Sequence, residues 1–574
     1  MADQGKGLDN GLTNYSDREF ARFLRRSFAK SMGYSDSALD KPIVGICYTE
    51  SGFNNCHRHF PEMLEAVKRG VLAQGAIPVP FPVISLGEVF LSPTSLVYRN
   101  LMAMTVEEMI RAQPMDAVVL MGGCDKTVPA LLMGAASAGK PAVLLVAGSM
   151  MTGRHRGERL GACTDCRRFW ASYRAGAIDA EEIAQVEGRL AVTAGTCAVM
   201  GTASTMALIG ETLGMMLPGT AAIPGVHADR LRASEESGAL AASMAMTGGP
   251  TPDQLITRES IDNALRVLLA VSGSTNALIH LTAIAGRVGI DIDLHRFNRL
   301  SDETPVLVDL KPVGAGYMED FHAAGGLEGV LRELKGALAL GCRDVTGQTL
   351  GERLSRPLAD PIDTAVIRPA SNPIEPSGGL IVLHGSLAPQ GALLKRAAAT
   401  PSLLEHEGKV VVFSSLDDLA ARIDDPDLDV SADDILVLQN AGPRSASGMP
   451  EAGYLPIPKK LVRQGVKDMV RISDARMSGT AYGTIILHVT PEAELGGPLA
   501  LVRTGDRIRI SASGKSVDLL VAPEELARRK KDLAPSPAGI TRGYRALYRH
   551  AVLPATSGCD FDFLRRVPSK PLPR

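Results

Sequence analysis

Three cysteines stand alone in glycine-rich or polar turns: Asn54-Asn55-Cys56-His57-Arg58, Gly122-Gly123-Cys124-Asp125-Lys126-Thr127 and Gly195-Thr196-Cys197-Ala198-Val199-Met200-Gly201. Each is expected where an apolar strand gives way to a helix, and helix N-termini favour thiolates. Thiolates are soft metal ligands. Three of them, with one iron position left open, suit an iron–sulfur cluster that binds substrate. If the three meet in space, the chemistry is that of a Lewis acid rather than an electron carrier. A solitary buried cysteine is more often a small apolar filler, and Cys47 and Cys342 read that way. Cys163-Thr164-Asp165-Cys166 is a single C-x-x-C. No second pair completes a zinc site and no thioredoxin-like strand precedes it, so it reads as non-ligating. Cys559, in the tail, carries no assigned role.

A hard-metal site is legible beside the soft one. Asp125-Lys126 follows Cys124 directly, and Glu88 follows a strand-like run in Ser85-Leu86-Gly87-Glu88. Mg²⁺ takes a few carboxylates together with substrate oxygens. Two later turns also stand out. Glu451 is held in Gly448-Met449-Pro450-Glu451-Ala452-Gly453, and Ser478 in Ile472-Ser473-Asp474-Ala475-Arg476-Met477-Ser478-Gly479-Thr480. The second follows a strand and could expose a hydroxyl. It is not a G-x-S-x-G elbow, and His488 lies within the next strand-like run. Taken alone, Asp125-Lys126 reads more readily as a surface ion pair, Glu451 as a turn or helix-start acid and Ser478 as a capping hydroxyl.

The elements that must position these residues fall into two groups. From about residue 40 to 350, β-branched runs (43–48, 117–121, 141–147) alternate with Ala/Leu/Met-rich helical patterns (61–73, 129–138). Such alternation predicts a parallel sheet covered by helices, with ligands at the strands' carboxyl ends. Residues 356–379 are rich in Pro, Ser and Gly and read as a linker. Beyond it, strand-like runs at 380–383, 410–413, 435–438, 484–489, 507–510 and 517–521 predict a small β-rich barrel or sandwich. The expected fold is therefore α/β: a parallel-sheet α/β domain over 1–379 and a smaller β-rich, barrel-like domain over 380–574. The tail from Glu524 reads as a basic helix and an irregular arm, whose stretch from Arg542 to Leu564 looks too exposed for a monomer.

Composition narrows the function classes. The 574 residues are 45% hydrophobic, enough for a large core split into at least two domains. A net charge of −2, one Trp and 4% aromatics give no footprint for nucleic acid or a membrane surface. The start, Met1-Ala2-Asp3-Gln4-Gly5-Lys6, lacks the apolar core of a signal peptide, and the apolar runs are strand-sized. A cytoplasmic protein is expected, its eight cysteines free for metal rather than paired.

These residues resemble the dihydroxy-acid and sugar-acid dehydratases. The matching segments are Asn55-Cys56, Gly123-Cys124-Asp125-Lys126-Thr127, Gly195-Thr196-Cys197 through Met206, Gly448-Met449-Pro450-Glu451 and Asp474-Ala475-Arg476-Met477-Ser478-Gly479. The opening Thr13-Asn14-Tyr15-Ser16-Asp17-Arg18-Glu19-Phe20 and the tail Gly558-Cys559-Asp560-Phe561-Asp562-Phe563-Leu564 are similar to the arabinonate and xylonate branch. The resemblance covers nearly the whole chain. It implies that Cys56, Cys124 and Cys197 hold a [2Fe–2S] cluster, or [4Fe–4S] as in some relatives. Glu88, Asp125, Lys126 and Glu451 would hold Mg²⁺, with Lys126 carbamylated, and Ser478 would be the base. An ordinary lysine is neutral at pH 7 only about once in 2,500, so the site must favour carbamylation or the metal must trap its product. The implied reaction is dehydration of an aldonate, through an enol, to a 2-keto-3-deoxy acid in the cleft between the domains. The implied assembly is a homodimer or homotetramer. The alternatives are the dihydroxy-acid dehydratase of branched-chain amino-acid synthesis and a non-catalytic iron–sulfur sensor or carrier. An electron carrier needs neither a base nor Mg²⁺.

Overall fold

The structure, a computed structural model, describes residues 6–12, 15–358, 360–533 and 540–566. Residues 1–5, Thr13-Asn14 of the opening motif, residue 359 of the linker and parts of the tail lie outside the described residues.

Strands β1 (Ile43–Tyr48), β2 (Ile77–Pro82), β3 (Ala117–Gly122) and β4 (Ala142–Val146) form a parallel sheet in the order β2-β1-β3-β4. β3 and β4 are buried from end to end, as strands covered on both faces must be. The helices Phe60–Ala73, Ser95–Ala112, Thr127–Ala138 and Ala228–Thr247 build the cover. From β1 the chain passes outward to β2, and from β3 the opposite way to β4. The loops at the carboxyl ends of β1 and β3 therefore part and leave a crevice. Cys56 and Cys124 lie in those two loops. A small hairpin, β5 (Gly153–His155) with β6 (Glu158–Leu160), follows β4.

The second domain is one sheet of eight strands: β7 (Ile381–Leu383), β8 (Gly391–Leu394), β9 (Glu405–Phe413), β10 (Ile435–Leu438), β11 (Arg471–Ser473), β12 (Ile485–Thr490), β13 (Arg507–Ser511) and β14 (Ser516–Leu519). Their order is β14-β13-β9-β10-β11-β12-β8-β7, with β9 to β12 mutually parallel. A bridge between His384 and Ser516 joins the chain just past β7 to β14 and nearly closes the sheet into a barrel around Leu383, Leu394, Val437, Ile472 and Ile508. Of the eight strands among the described residues, β8 is absent from the sequence reading, and β11 enters it only as the strand ahead of the Ser478 turn. Both are short; β8 carries no β-branched residue and β11 only Ile472.

The stretch 360–379 runs along the first domain: Val306 bridges Glu375, and Val308 bridges the fully buried Ile367. The arm is a correction. Rather than standing exposed, Tyr548, Val552, Cys559 and Phe561 are buried against Leu96, Val97 and Ile279 of the same chain. Arg287 and Asp560, both without solvent access, pair at 2.6 Å, and the carbonyls of Gly558 and Cys559 accept from Arg99. Cys559 is thus a structural residue. Leu547 and Phe563 of the arm stay exposed, as do Phe20, Phe23 and Phe28 of the Arg18–Ser31 helix, Met32 just past it, and Phe53, Val89 and Phe90.

Candidate functional site

Cys56 sits in a one-turn helix, Asn55–His57, whose N-terminus is capped by the Asn54 side chain, which accepts from Cys56 N at 3.2 Å. Cys124 follows β3 by two residues. Gly123 before it has no room for a side chain, since a methyl group would lie 2.3 Å from Ala147 Cβ. Cys197 differs from expectation: it follows no strand. Thr196 makes only an isolated parallel bridge to Ser149, three residues past the end of β4. His57 ties the first two turns together. Its Nδ1–H donates to Thr49 O at 2.7 Å, which leaves Nε2 to accept from Cys124 N at 3.1 Å. Burial lowers its pKa to about 4, so the ring is neutral, as an acceptor must be. It also stacks on Phe60 with centroids 4.3 Å apart.

The thiols converge. The Cys124 sulfur beside Cys56, together with burial, pushes the Cys56 thiol up, and Cys163 and burial do the same to Cys197. Cys163, read from sequence as non-ligating, has its Sγ 3.7 Å from Cys197 Sγ. Cys166 donates its S–H to the Cys163 carbonyl at 2.6 Å.

The hard half adjoins it. Lys126, fully buried at the start of the Thr127–Ala138 helix, places Nζ 3.4 Å from Glu88, 3.4 Å from Asp125 and 3.7 Å from Glu451. All four residues expected at this site are therefore together. Arg476, also fully buried, donates to Glu451 at 2.5 Å and to Glu88 at 2.9 Å. Glu88 further accepts from Thr94 Oγ1 at 2.9 Å and from Ser95 Oγ. Burial alone would raise Glu88, but Arg476 and Lys126 outweigh it and hold the carboxyl below its usual range. At Glu451 burial wins over Arg476, and its pKa rises. Among the described residues, no group of three or more His, Cys, Asp or Glu side chains is arranged to hold a metal ion. The Lys126 ammonium stands among the carboxylates, and the thiols rest on one another.

Ser478 comes from the other domain. Its Oγ is 2.8 Å from Thr480 Oγ1. The turn that carries it is fastened to the first domain: Asn276 Nδ2 donates to Met477 O at 3.0 Å, and Thr164 Oγ1 donates to Thr480 O at 2.9 Å. Gly479 is pressed so close that a methyl group there would lie 2.6 Å from Thr202 N and 2.7 Å from Ser274 Cβ. Ser478 thus stands in sequence between Arg476, which grips the carboxylates, and Thr480, which touches the loop of Cys163. Sequence reasoning gave no role to His57 or Arg476, although both lie inside quoted segments. Their signal was a potential charge beside a ligand-type residue.

Residues 41–353 match the family model for the dihydroxy-acid/6-phosphogluconate dehydratase N-terminal region, and residues 365–559 match its C-terminal counterpart. The chain belongs to the dihydroxy-acid/6-phosphogluconate dehydratase family. It is an enzyme, a hydro-lyase. This dehydratase is 47% identical to an L-arabonate dehydratase of Azospirillum brasilense over 94% of each chain. It is 43% identical to a 6-deoxy-6-sulfo-D-gluconate dehydratase of Pseudomonas putida over 97% of each. With a dihydroxy-acid dehydratase of Carboxydothermus hydrogenoformans it shares 37% identity over 93% of this chain and 97% of that one. No helix of the described residues is long and apolar enough to cross a membrane.

Proposed function

We propose that this enzyme dehydrates a sugar acid, an aldonate, to a 2-keto-3-deoxy acid. The observation that carries the reading is the meeting of a thiol nest, a carboxylate cluster and a serine turn from two domains. The donor sets suit the groups involved: Cys56, Cys124 and Cys197 for a [2Fe–2S] cluster, and Glu88, Asp125, Glu451 and a carbamylated Lys126 for Mg²⁺. Carbamylation turns the central cation of the carboxylate cluster into a further oxygen donor. When bound, the two metal centres supply Lewis acidity, which acidifies the C2 proton and helps the C3 hydroxyl leave.

The chain's own part is proton transfer and positioning. Ser478 Oγ takes the C2 proton. Thr480 Oγ1 beside it and the Thr480 N–H, which donates to Ser478 Oγ at 3.4 Å, steady the alkoxide form. The C3 hydroxyl departs as water and the enol tautomerises, with no net redox change. Arg476 keeps Glu88 and Glu451 aimed at the shared site. Self-association into a homodimer or homotetramer is supported by the exposed Phe20, Phe23, Phe28 and Met32, and a cytoplasmic location by eight unpaired cysteines. Light scattering tests the first; a stable monomer at micromolar concentration would contradict it.

The decisive assay is a panel of aldonates beside a branched 2,3-dihydroxy acid, scored for keto-acid product with anaerobically purified protein. Turnover of aldonates that is lost on EDTA treatment is expected. Preference for the branched acid would overturn the sugar-acid reading.

A further inference from the structure

Cys163 lies in the thiol nest without a part in the proposed reaction. Its Sγ is 3.7 Å from Cys197 Sγ. Two thiolates on one tetrahedral metal, with bonds of about 2.3 Å, stand about 3.8 Å apart; a disulfide holds its sulfurs at about 2.0 Å. The placement is built from both sides. Ala162 O accepts from Ala198 N at 3.2 Å, which ties the Cys163 loop to the residue after Cys197. Thr164 Oγ1 reaches across to Thr480 O. The buried Asp165 carboxylate accepts from Gly161 N at 2.8 Å, Lys311 Nζ at 2.9 Å and Tyr317 Oη at 3.0 Å. These bonds fix the turn from which Cys163 opens the Thr164–Ala175 helix.

We propose that Cys163 is a fourth thiolate donor to the iron–sulfur cluster, filling in the substrate-free enzyme the position that Cys56, Cys124 and Cys197 leave open. The inference rests on the cluster reading above. Four thiolates are the ordinary full set for such clusters. Binding costs the Cys163 S–H its proton and gives a sulfur lone pair to iron; no electron is transferred and no oxidant is needed. A donor of this kind covers the iron between turnovers and yields to the substrate's hydroxyl. Cys166, which contacts the nest through Cys163, serves as the internal control.

The test compares anaerobically reconstituted wild type, Cys163→Ala, Cys163→Ser and Cys166→Ala by iron and sulfide content, resonance Raman and EPR of the reduced cluster, each without substrate. All four should retain iron. Both Cys163 variants should shift the iron–thiolate Raman bands and the g-values, whereas Cys166→Ala should match wild type. The serine variant preserves volume, so a shift shared by both variants is not a packing artefact. Spectra of both Cys163 variants that superimpose on wild type, with iron retained, overturn this inference alone. Wild-type protein that takes up neither iron nor sulfide overturns it together with the cluster reading.

Discussion

In the carboxylate half of the site, Glu88, Asp125 and Glu451 face two buried cations of the protein itself, Lys126 and Arg476. In the thiol half, Cys56, Cys124, Cys163 and Cys197 lie against one another, and for Cys56 and Cys197 the neighbouring sulfur raises the pKa. The first half therefore has internal counterions and is set in place by the chain alone. In the second, neighbouring sulfurs and burial keep the Cys56 and Cys197 thiols protonated until a metal takes their protons, while hydrogen bonds with Cys166 and Cys197 hold Cys163 down. Carbamylation of Lys126 would reverse one internal counterion and make the hard half, too, depend on a cation from outside.

The comparison breaks most visibly at the thiols. Cys56→Ser, Cys124→Ser and Cys197→Ser should each abolish cluster absorbance and activity together. Full iron retention by any one of them removes that residue from the ligand set. Next comes Ser478, the proposed base. Ser478→Ala should cut turnover by about 10³-fold or more while cluster, Mg²⁺ and substrate binding persist. Exchange of the C2 proton with solvent deuterium should also stop. Turnover above about a tenth of wild type, far beyond that expectation, would give the base role to another group.

The carboxylate half should fail through stability rather than through metal content. Arg476→Met strands two carboxylates that keep 20% and 19% exposure and should cost at most about 3 kcal/mol in denaturant unfolding, with Arg476→Lys recovering part of it. An unchanged midpoint would show that Lys126 alone suffices. Acid should weaken the thiol half through His57. Its pKa is about 4 in the fold against 6.5 outside, so its contribution is complete above 6.5 and is lost as pH falls from 6.5 through 4. The loss is of order 3 kcal/mol. Unfolding midpoints across that window should fall in wild type and fall less in His57→Gln. The smallest effect is expected at Cys166→Ser, whose iron content and turnover should stay within about twofold of wild type.

Much of this architecture was legible as local pattern. β1, β3 and β4 are continuous apolar runs bounded by turns, and Glu88, Asp125 and Lys126 gather because they lie in loops after β2 and β3, where Glu451 reaches them from the second domain. What escaped was pairwise. That His57 accepts from Cys124 N, and that Arg476 spans Glu88 and Glu451, depends on approach between segments remote in sequence. Cys163 escaped for the same reason: nothing in Cys163-Thr164-Asp165-Cys166 tells that Ala162 bonds to Ala198. The arm misled because its arginines look solvated, whereas the buried anchor is an aspartate, Asp560, meeting Arg287 from a distant helix. The bridge at His384 and Ser516 likewise belongs to no run of residues.

The tight seat of Gly479 against Thr202 and Ser274 bears on the order in which a newborn chain becomes competent. The thiol loops and Lys126 leave the ribosome well before Ser478 is translated, and the first domain can gather its donors early. Yet Ser478 gains its place only when the second domain docks with no slack at that glycine. On the proposed reading, a half-finished or clipped molecule that captured iron would hold the metal without the proposed base. Docking is the last lock on the reaction, and a single added methyl at position 479 should jam it.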